Sequence, residues 1–220
     1  MGDTWWLWLP VGYFCGSIPF GLFIAKARGV DIRTAGSGNI GATNVGRVLG
    51  KKWGGLCFVL DVLKGLVPVL IAGAATGLLG KNNIPSNQAW AWLSVAAATM
   101  AGHVFPVWLR FKGGKGVATG LGALLGFWPI LTPPAFLAAV TWLILASTFR
   151  YVSLASILAA LFVPLFLMVW AELADIPRAA LQPFVIVSAL MAVLVLLRHR
   201  SNIARLIEGT ESRLGSRKAP

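Results

Sequence analysis

The chain has 220 residues, of which 57% are hydrophobic and only 12% are charged, and its mean hydropathy is +0.78. A soluble domain of this length cannot bury so much apolar surface in one core, so the composition predicts an integral membrane protein. The formal net charge of +12 does not indicate nucleic-acid binding, because basic residues in a mostly apolar chain are expected to mark cytoplasmic loops and sites for anionic ligands.

Seven apolar segments are candidate membrane spans, since a helix needs roughly 17–25 apolar residues to cross a bilayer. In chain order they are residues 5–25, 54–79, 89–109, 117–131, 134–149, 152–171 and 180–197. The fourth is short and the break after it is tight, so residues 117–149 also fit one re-entrant hairpin. We favour two crossings and expect an all-α, polytopic integral membrane protein with seven transmembrane helices.

The basic residues predict the orientation of these helices. In this arrangement 16 of the 19 Lys and Arg residues fall on one side of the membrane, in residues 26–52, residues 110–116, Arg150 and the tail after residue 197. The positive-inside rule makes that side cytoplasmic, which places the N-terminus outside and the C-terminus inside. We expect residues 1–220 to form a single membrane-embedded domain.

Asp61 and Lys64 are three residues apart within the second predicted span. Charges inside a membrane are costly, so we expect this pair to face the interior of the helix bundle, where a structural role is at least as plausible as a catalytic one. Interface anchoring is expected for several tryptophans, namely Trp5, Trp6, Trp8, Trp90 and Trp92.

The first polar stretch, GSGNIGATNVGR at residues 36–47, contains the pattern G-x-G-x-x-G of a dinucleotide-binding turn. That turn requires a preceding β-strand, a βαβ unit around it and an acidic residue about 20 positions further on. Here both neighbouring segments are predicted apolar helices, and Asp61 lies within one of them. The pattern therefore does not indicate a dinucleotide site.

Three polar stretches fall on the predicted cytoplasmic side, at residues 36–47, 111–120 and 198–211. Repeated glycine lets backbone N–H groups turn towards an anion, and Lys and Arg add charge. Two glycine-rich basic loops on one face indicate one or two phosphate-bearing ligands. The second is not a P-loop, because Leu109 stands where a glycine is required and Gly116 follows the lysine.

Several other chemistries lack the residues that they need. Metal-dependent alcohol phosphotransferases use clustered aspartates, but the predicted cytoplasmic side carries only Asp31, Glu208 and Glu211. Neither His103 nor His199 is followed five positions later by the aspartate of the common acyl-CoA glycerolipid acyltransferases, and no G-x-S-x-G elbow is present. We expect no metal, no cofactor and no nucleic-acid partner.

Taken together, the motifs resemble a known family. SGNIGATN at residues 37–44 with Arg47, GGKGVAT at 113–119 and HRSNIARLIEGTE at 199–211 are similar to motifs of the bacterial acyl-phosphate:glycerol-3-phosphate acyltransferases, the PlsY family. LDVLKG at 60–65 and GHVFPVW at 102–108 also match. The resemblance covers almost the whole chain in order, so the combination is specific although each motif alone is weak.

The resemblance implies a multi-pass enzyme of the bacterial plasma (inner) membrane with its active site at the cytoplasmic face. It implies transfer of a fatty acyl group from acyl phosphate to the 1-hydroxyl of glycerol 3-phosphate, which gives lysophosphatidic acid and phosphate, the first acylation step of phospholipid biosynthesis. The partners would be glycerol 3-phosphate, acyl phosphate and membrane lipid. Both substrates carry phosphate, and an acyl phosphate is an activated anhydride, so positioning and charge neutralisation could supply most of the catalysis.

Most site residues follow from the matching motif positions, and Ser153 is added as a further hydrogen-bond donor to phosphate because it lies just after Arg150. The expected catalytic residues are Ser37, Arg47, Lys115, Ser153, His199 and Asn202. The expected substrate-binding residues are Gly38, Asn39, Gly41, Thr43, Asn44, Gly113, Gly114, Gly116 and Arg205. Glu211 is expected to hold structure, through Arg205 or Arg47.

Three questions stay open at this point. The proton of the glycerol hydroxyl could pass to His199 or to a substrate phosphate oxygen. Gly120, Gly122 and Gly126 could serve close helix packing rather than ligand binding. A transporter or channel for a phosphate-bearing anion is the main rival function, but it should carry ligand-facing polar groups at mid-membrane, whereas here they concentrate at one face. A structural membrane subunit would leave the three motifs unexplained.

Overall fold

The computed structural model describes residues 5–215, and its regular secondary structure is helical throughout that range. A short 3-10 helix lies at Val107–Leu109. The α-helices are α1 Trp5–Ser17, α2 Phe20–Lys26, α3 Ala42–Leu49, α4 Lys51–Ala75, α5 Ser86–Val104, α6 Val117–Leu125, α7 Thr132–Phe149, α8 Val152–Leu173, α9 Arg178–Arg198 and α10 Arg200–Ile207. The expected all-α class is confirmed for the described residues, which contain no β-strand.

Six segments of the described chain are long and apolar enough to cross a membrane. They are Trp5–Lys26, Lys51–Ala75, Ser86–Leu109, Thr132–Phe149, Val152–Leu173 and Arg178–Arg198. Large apolar side chains such as Leu143, Val169 and Leu190 project from their outer faces and are 61–62% exposed. Apolar surface on this scale suits contact with lipid.

The fourth predicted span, residues 117–131, differs from the expectation. Its helix, α6, has nine residues, or about 13 Å at 1.5 Å per residue, which is less than half of the roughly 30 Å hydrocarbon core. Residues 126–131 form turns and a bend instead of continuing the helix. The expectation of seven full transmembrane helices is therefore not confirmed.

Hydrogen bonds nevertheless show how far this segment reaches. The carbonyl oxygens of Trp128 and Pro129 accept hydrogen bonds from the Gly80 backbone N–H and the Trp170 indole, at 2.9 and 3.1 Å. Those donors lie after α4 and near the end of α8. The opposite end of α8 follows Arg150, which bonds to the C-terminal segment. The chain therefore passes along the bundle through α6 and the following turns, and returns through α7.

The first span is broken between α1 and α2 at Ile18 and Pro19, because proline has no backbone N–H to continue the helical pattern. The carbonyl of Ile18 accepts a hydrogen bond from the Lys64 ammonium at 2.8 Å. Lys64 also pairs with Asp61 at 2.7 Å, and both side chains are under 5% exposed. The predicted inward-facing pair is confirmed, and it anchors the break that precedes the first polar loop.

The largest core cluster centres on three aromatic rings. Phe127 contacts both Trp92 and Phe184, with ring centroids 4.6 and 5.8 Å apart. The Trp92 indole donates a hydrogen bond to the Val69 carbonyl at 2.9 Å and the side chain is fully buried. The expectation that Trp92 anchors the interface is therefore wrong, because its only polar group has a partner inside the bundle.

Close contact between α4 and α6 depends on glycine. A β-carbon at Gly65 would overlap the Thr119 carbonyl, and one at Gly122 would overlap the Val62 carbonyl. Gly122 therefore serves helix packing, which answers one of the alternatives left open by the sequence. This packing fixes α6 and, at its N-terminal end, the second polar loop.

Candidate active site

The first polar loop is organised by one buried amide side chain. Asn44 is 2% exposed, and its Oδ1 accepts a hydrogen bond from the backbone N–H of Ser37 at 2.8 Å. Its Nδ2 donates to three carbonyl oxygens, those of Ile32, Ala35 and Asn39, at 3.3, 3.0 and 2.9 Å. The Asn44 amide is thus fully used within the loop, which makes it a residue that shapes the site.

The glycines of this loop serve its tight turn. Gly36 and Gly38 have φ angles of 62° and 69°, a region that a β-carbon disfavours. A β-carbon at Gly36 would also overlap the Asn44 amide. The turn leaves the side chains of Ser37 and Thr43 exposed, where they are accessible to a ligand.

The second loop packs against the end of α5. The N–H groups of Gly113 and Gly114 donate to the carbonyls of Val104 and His103, both at 3.1 Å. A β-carbon at Gly114 would overlap the His103 ring, whose Nδ1 lies 3.0 Å from the Thr119 hydroxyl. These two N–H groups are therefore occupied within the fold, and the geometry does not favour their predicted direct contact with a substrate.

Lys115 lies between these glycines and Gly116, which has a φ of 86° and precedes α6. The Lys115 ammonium donates to Asn202 Oδ1 at 2.6 Å, and Asn202 Nδ2 donates to Glu211 Oε1, also at 2.6 Å. The same oxygen accepts from the Ser153 hydroxyl at 2.8 Å. Three predicted site residues from separate segments therefore meet in one hydrogen-bond network.

Glu211 is the centre of that network. Its Oε2 accepts a hydrogen bond from Arg205 Nε at 2.7 Å, and its side chain is only 8% exposed. Partial burial raises the pKa of the Glu211 carboxyl, but hydrogen bonds from Asn202, Ser153 and Arg205 outweigh it and leave the pKa below its usual range. The prediction that Glu211 holds structure is confirmed for the pairing with Arg205.

His199 lies at the junction of α9 and α10 and is 2% exposed. Its Nδ1 lies 2.8 Å from the carbonyl oxygen of Val195. A carbonyl can only accept, so Nδ1 carries the proton of the neutral ring and Nε2 keeps its lone pair. Desolvation lowers the His199 pKa to about 4, opposed by the bond to Val195 and reinforced by the charge of Lys115. The imidazole is therefore neutral at neutral pH.

Several positive charges converge on Lys115. Burial lowers the pKa of its ammonium to about 8; Glu211 opposes this shift, and the charges of Arg205, Arg47 and Arg198 lower the pKa further. Arg47 belongs to the first polar loop and is exposed, so its influence shows that the two loops share one electrostatic environment. A site with this excess of cations attracts a phosphate.

A cavity of about 450 Å³ opens beside the network and has two kinds of lining. Its polar lining residues come from the first loop, the second loop, the end of α9 and the start of α10: Asn39, Lys115, Arg198, Arg200 and Ser201. Its apolar lining residues are Phe105, Leu194 and Leu197. The cavity therefore suits a molecule with an anionic head and an apolar chain.

Sequence reasoning did not select Arg198 or the apolar lining residues. The available signal was spacing, because Leu194, Leu197 and Arg198 are at i, i+3 and i+4 and so share one face of α9. That face leads directly to His199. Among the predicted residues, the Ser37 and Thr43 side chains make no hydrogen bond with the rest of residues 5–215.

The fold and this cavity define a class of protein: an integral membrane protein with a cationic site at one end of its helices, beside an apolar space that suits a hydrocarbon chain. Residues 6–209 match the family model described as glycerol-3-phosphate acyltransferase. The chain belongs to this family, as the resemblance of its motifs predicts.

Individual relatives agree with this assignment. The chain is 45% identical over 207 residues to a glycerol-3-phosphate acyltransferase of Desulforamulus reducens, covering 94% of this chain and 93% of the relative. It is also 45% identical over 201 residues to one of Aquifex aeolicus, covering 91% and 94%. The crystal structure of PlsY (YgiH), an integral membrane glycerol 3-phosphate acyltransferase, in its glycerol 3-phosphate form aligns with a TM-score of 0.82 at 41% identity and covers 97% of this chain and 96% of that chain. The lysophosphatidic acid form of that protein gives a TM-score of 0.80.

Proposed function

We propose that this glycerol-3-phosphate acyltransferase uses acyl phosphate as its donor and acylates the 1-hydroxyl of glycerol 3-phosphate, giving lysophosphatidic acid and phosphate. The observation that carries the proposal is the cavity in which Asn39 and Lys115, one from each polar loop, meet apolar side chains. A donor with a phosphate head and an acyl chain matches both parts of that lining. The two forms of the related PlsY structure, with glycerol 3-phosphate and with lysophosphatidic acid, support the same substrate and product.

In the proposed reaction the 1-hydroxyl oxygen of glycerol 3-phosphate attacks the acyl carbonyl carbon. The new ester C–O bond forms, the bond between the acyl carbon and the bridging phosphate oxygen breaks, phosphate leaves with the bonding electron pair, and the hydroxyl proton passes to a substrate phosphate oxygen. Ser37 and Arg47 bind a substrate phosphate from the first loop, and Lys115 neutralises charge that develops on the leaving phosphate. The anhydride is already activated, so no covalent enzyme intermediate is required.

The remaining predicted residues take supporting roles in this proposal. Asn44 holds the first loop, as its hydrogen bonds to the loop backbone indicate. Asn202 binds Lys115 directly, and Ser153, Asn202 and Arg205 hold the C-terminal segment through Glu211. These hydrogen bonds also hold the donor groups of Ser153, Asn202 and Arg205 in position. A substrate phosphate can accept hydrogen bonds from the same groups in place of the Glu211 carboxylate.

We further propose that residues 1–220 form one domain that passes seven times through the bacterial inner membrane, with the N-terminus outside and the active site at the cytoplasmic face. The distribution of basic residues supports this orientation. The reach of residues 117–131 to Gly80 and Trp170 supports a seventh passage, made by α6 and the turns after it. Cysteine labelling of single-Cys variants in intact cells tests it: residue 81 should be accessible from outside and residue 112 only after permeabilisation.

The donor is tested with purified protein in detergent. With acyl phosphate and glycerol 3-phosphate, we expect lysophosphatidic acid and inorganic phosphate in equal amounts. Acyl-CoA and acyl carrier protein thioester serve as alternative donors under the same conditions. Turnover of a thioester donor with none from acyl phosphate, in a folded sample, would overturn the proposal.

The acceptor of the hydroxyl proton is tested through the pH dependence of kcat/KM. Because the His199 pKa is held at about 4, its ring stays in the neutral form throughout the range above pH 5. A limb near pH 6 belongs to a substrate phosphate, whose second pKa is near 6, and we expect it to persist in His199→Gln. Loss of that limb in His199→Gln would instead assign the proton to His199.

A further inference from the structure

Arg198, the last residue of α9, lies at the boundary between the two linings of the cavity. Its Nη2 donates a hydrogen bond to the Gly113 carbonyl at 3.2 Å, and its guanidinium lies over the Phe105 ring, 6.0 Å from the centroid. Lys115 and Leu197 line the same cavity. The side chain is therefore held in place by the second loop on one side and by an apolar surface on the other.

Only some of the N–H donors of the Arg198 guanidinium have hydrogen-bond partners in this arrangement. Arg198 Nε is buried and has no hydrogen-bond partner among the described residues. A guanidinium offers five N–H donors in a planar fork, and buried donors without a partner are rare in folded proteins. Because Nε is buried, a ligand can reach only the outer N–H groups of this guanidinium, and Arg198 lines the cavity, where such a ligand would lie.

The neighbours of Arg198 indicate which ligand this is. Glycerol 3-phosphate has no apolar part, so it gains nothing from Phe105, Leu194 or Leu197. The donor joins a phosphate directly to an acyl chain, and both parts match the lining at this point. Leu197 and Phe105 are 62% and 43% exposed on the outer surface, so a chain can reach the cavity sideways from the lipid.

We propose that Arg198 binds the phosphate of the acyl phosphate donor, with the acyl chain lying along Phe105, Leu194 and Leu197. The inference rests on the proposed function and extends it by assigning this cavity to the donor. Parallel N–H groups of an arginine can hold two phosphate oxygens at once, which a lysine cannot do. Arg198 then also neutralises the phosphate as it leaves the acyl carbon.

The kinetic test varies each substrate separately in Arg198→Gln and Arg198→Lys. We expect the KM for acyl phosphate to rise about tenfold in Arg198→Gln and less in Arg198→Lys, with the KM for glycerol 3-phosphate changed less than about twofold. Arg28→Gln is the matched control, because Arg28 is exposed and also lies over an aromatic ring, that of Trp53 at 5.1 Å. A rise confined to the KM for glycerol 3-phosphate, or equal rises for both substrates, would overturn the assignment.

A binding test does not depend on turnover. A long-chain alkyl phosphonate, which cannot transfer an acyl group, should raise the unfolding temperature of the wild-type protein and of Arg28→Gln but not that of Arg198→Gln. Leu194→Phe narrows the apolar lining and should weaken binding of the long-chain phosphonate while sparing glycerol 3-phosphate. Equal stabilisation of all four proteins by the phosphonate contradicts the inference, even if the proposed donor is correct. Failure of the wild type to turn over acyl phosphate contradicts the proposed function, whereas stabilisation by the phosphonate that depends on Arg198 would still assign a site for a long-chain phosphate to this cavity.

Discussion

The two glycine-rich loops have similar compositions but are built in different ways. In the first, Gly36 and Gly38 adopt positive φ angles around the buried Asn44 amide, and the side chains of Ser37 and Thr43 are exposed. In the second, the N–H groups of Gly113 and Gly114 donate hydrogen bonds to the end of α5. The His103 ring occupies the space that a β-carbon at Gly114 would need. The conformation of the first loop therefore depends on the Asn44 side chain, whereas the packing of the second loop depends on glycines that carry no side chain.

This difference separates the two contributions that a phosphate site needs. The first loop and α3 present the exposed hydroxyl groups of Ser37 and Thr43 together with the exposed Arg47. The second places one partly desolvated cation, Lys115, against the network centred on Glu211. Glycine content alone therefore does not distinguish between a tight turn that presents polar side chains and a loop that packs a lysine close to a helix.

The largest effect is expected from removing the charge of the second loop. Lys115→Met should lower kcat/KM by about 100- to 1,000-fold, because a buried cation aimed at a leaving phosphate stabilises the transition state strongly. The unfolding temperature should change little, since burial of the ammonium itself opposes folding. Lys112→Met, an exposed neighbour, is the control. A decrease in kcat/KM of less than tenfold in Lys115→Met would mean that Lys115 only contributes to the orientation of the protein in the membrane.

In the first loop, the next largest effect is expected from removing the Asn44 side chain, which holds the loop in its conformation. Asn44→Ala removes the partner of the Ser37 N–H and of the Ile32, Ala35 and Asn39 carbonyls, and should lower the free energy of unfolding by about 2–4 kcal/mol. The activity should fall about tenfold or more, because Ser37 and Arg47 lose their fixed positions. Thr34→Ala, which removes one exposed hydrogen bond, should do neither. Full activity in Asn44→Ala would show that the turn holds without its amide.

Local sequence patterns predicted much of this structure, but they did not predict the contacts between residues that are far apart in the chain. Hydropathy located six of the spans, and the i,i+3 spacing of Asp61 and Lys64 predicted their ion pair, because both features arise within one helix. The contact between Lys115 and Asn202 joins residues 87 positions apart, which no local period encodes. Trp92 was placed wrongly for the same reason, since its partner Val69 lies on another helix.

Glycine substitutions compare the two loops directly. Gly114→Ala should lower the free energy of unfolding by about 1–3 kcal/mol, since its β-carbon would overlap the His103 ring in a packed region. Gly41→Ala should cost less than about 1 kcal/mol, because its φ is −79° and its β-carbon would meet only Asn39 Oδ1, at 3.0 Å. Thermal unfolding of both variants measures the difference. Equal losses would mean that the two loops tolerate side chains alike.

The smallest expected effect is a shift in the alkaline pH dependence. Burial lowers the pKa of Lys115 to about 8, so its positive charge is present below that pH and is lost as pH rises through it. The kcat/KM, which reports the free enzyme, should therefore fall above about pH 8. Lys115→Arg keeps its charge to much higher pH, so this decline should disappear even if the maximal rate is lower. A decline that is unchanged in Lys115→Arg would assign it to another group. Substitutions of Ser37 should lower the rate without moving the limb, because the Ser37 hydroxyl contributes no charge.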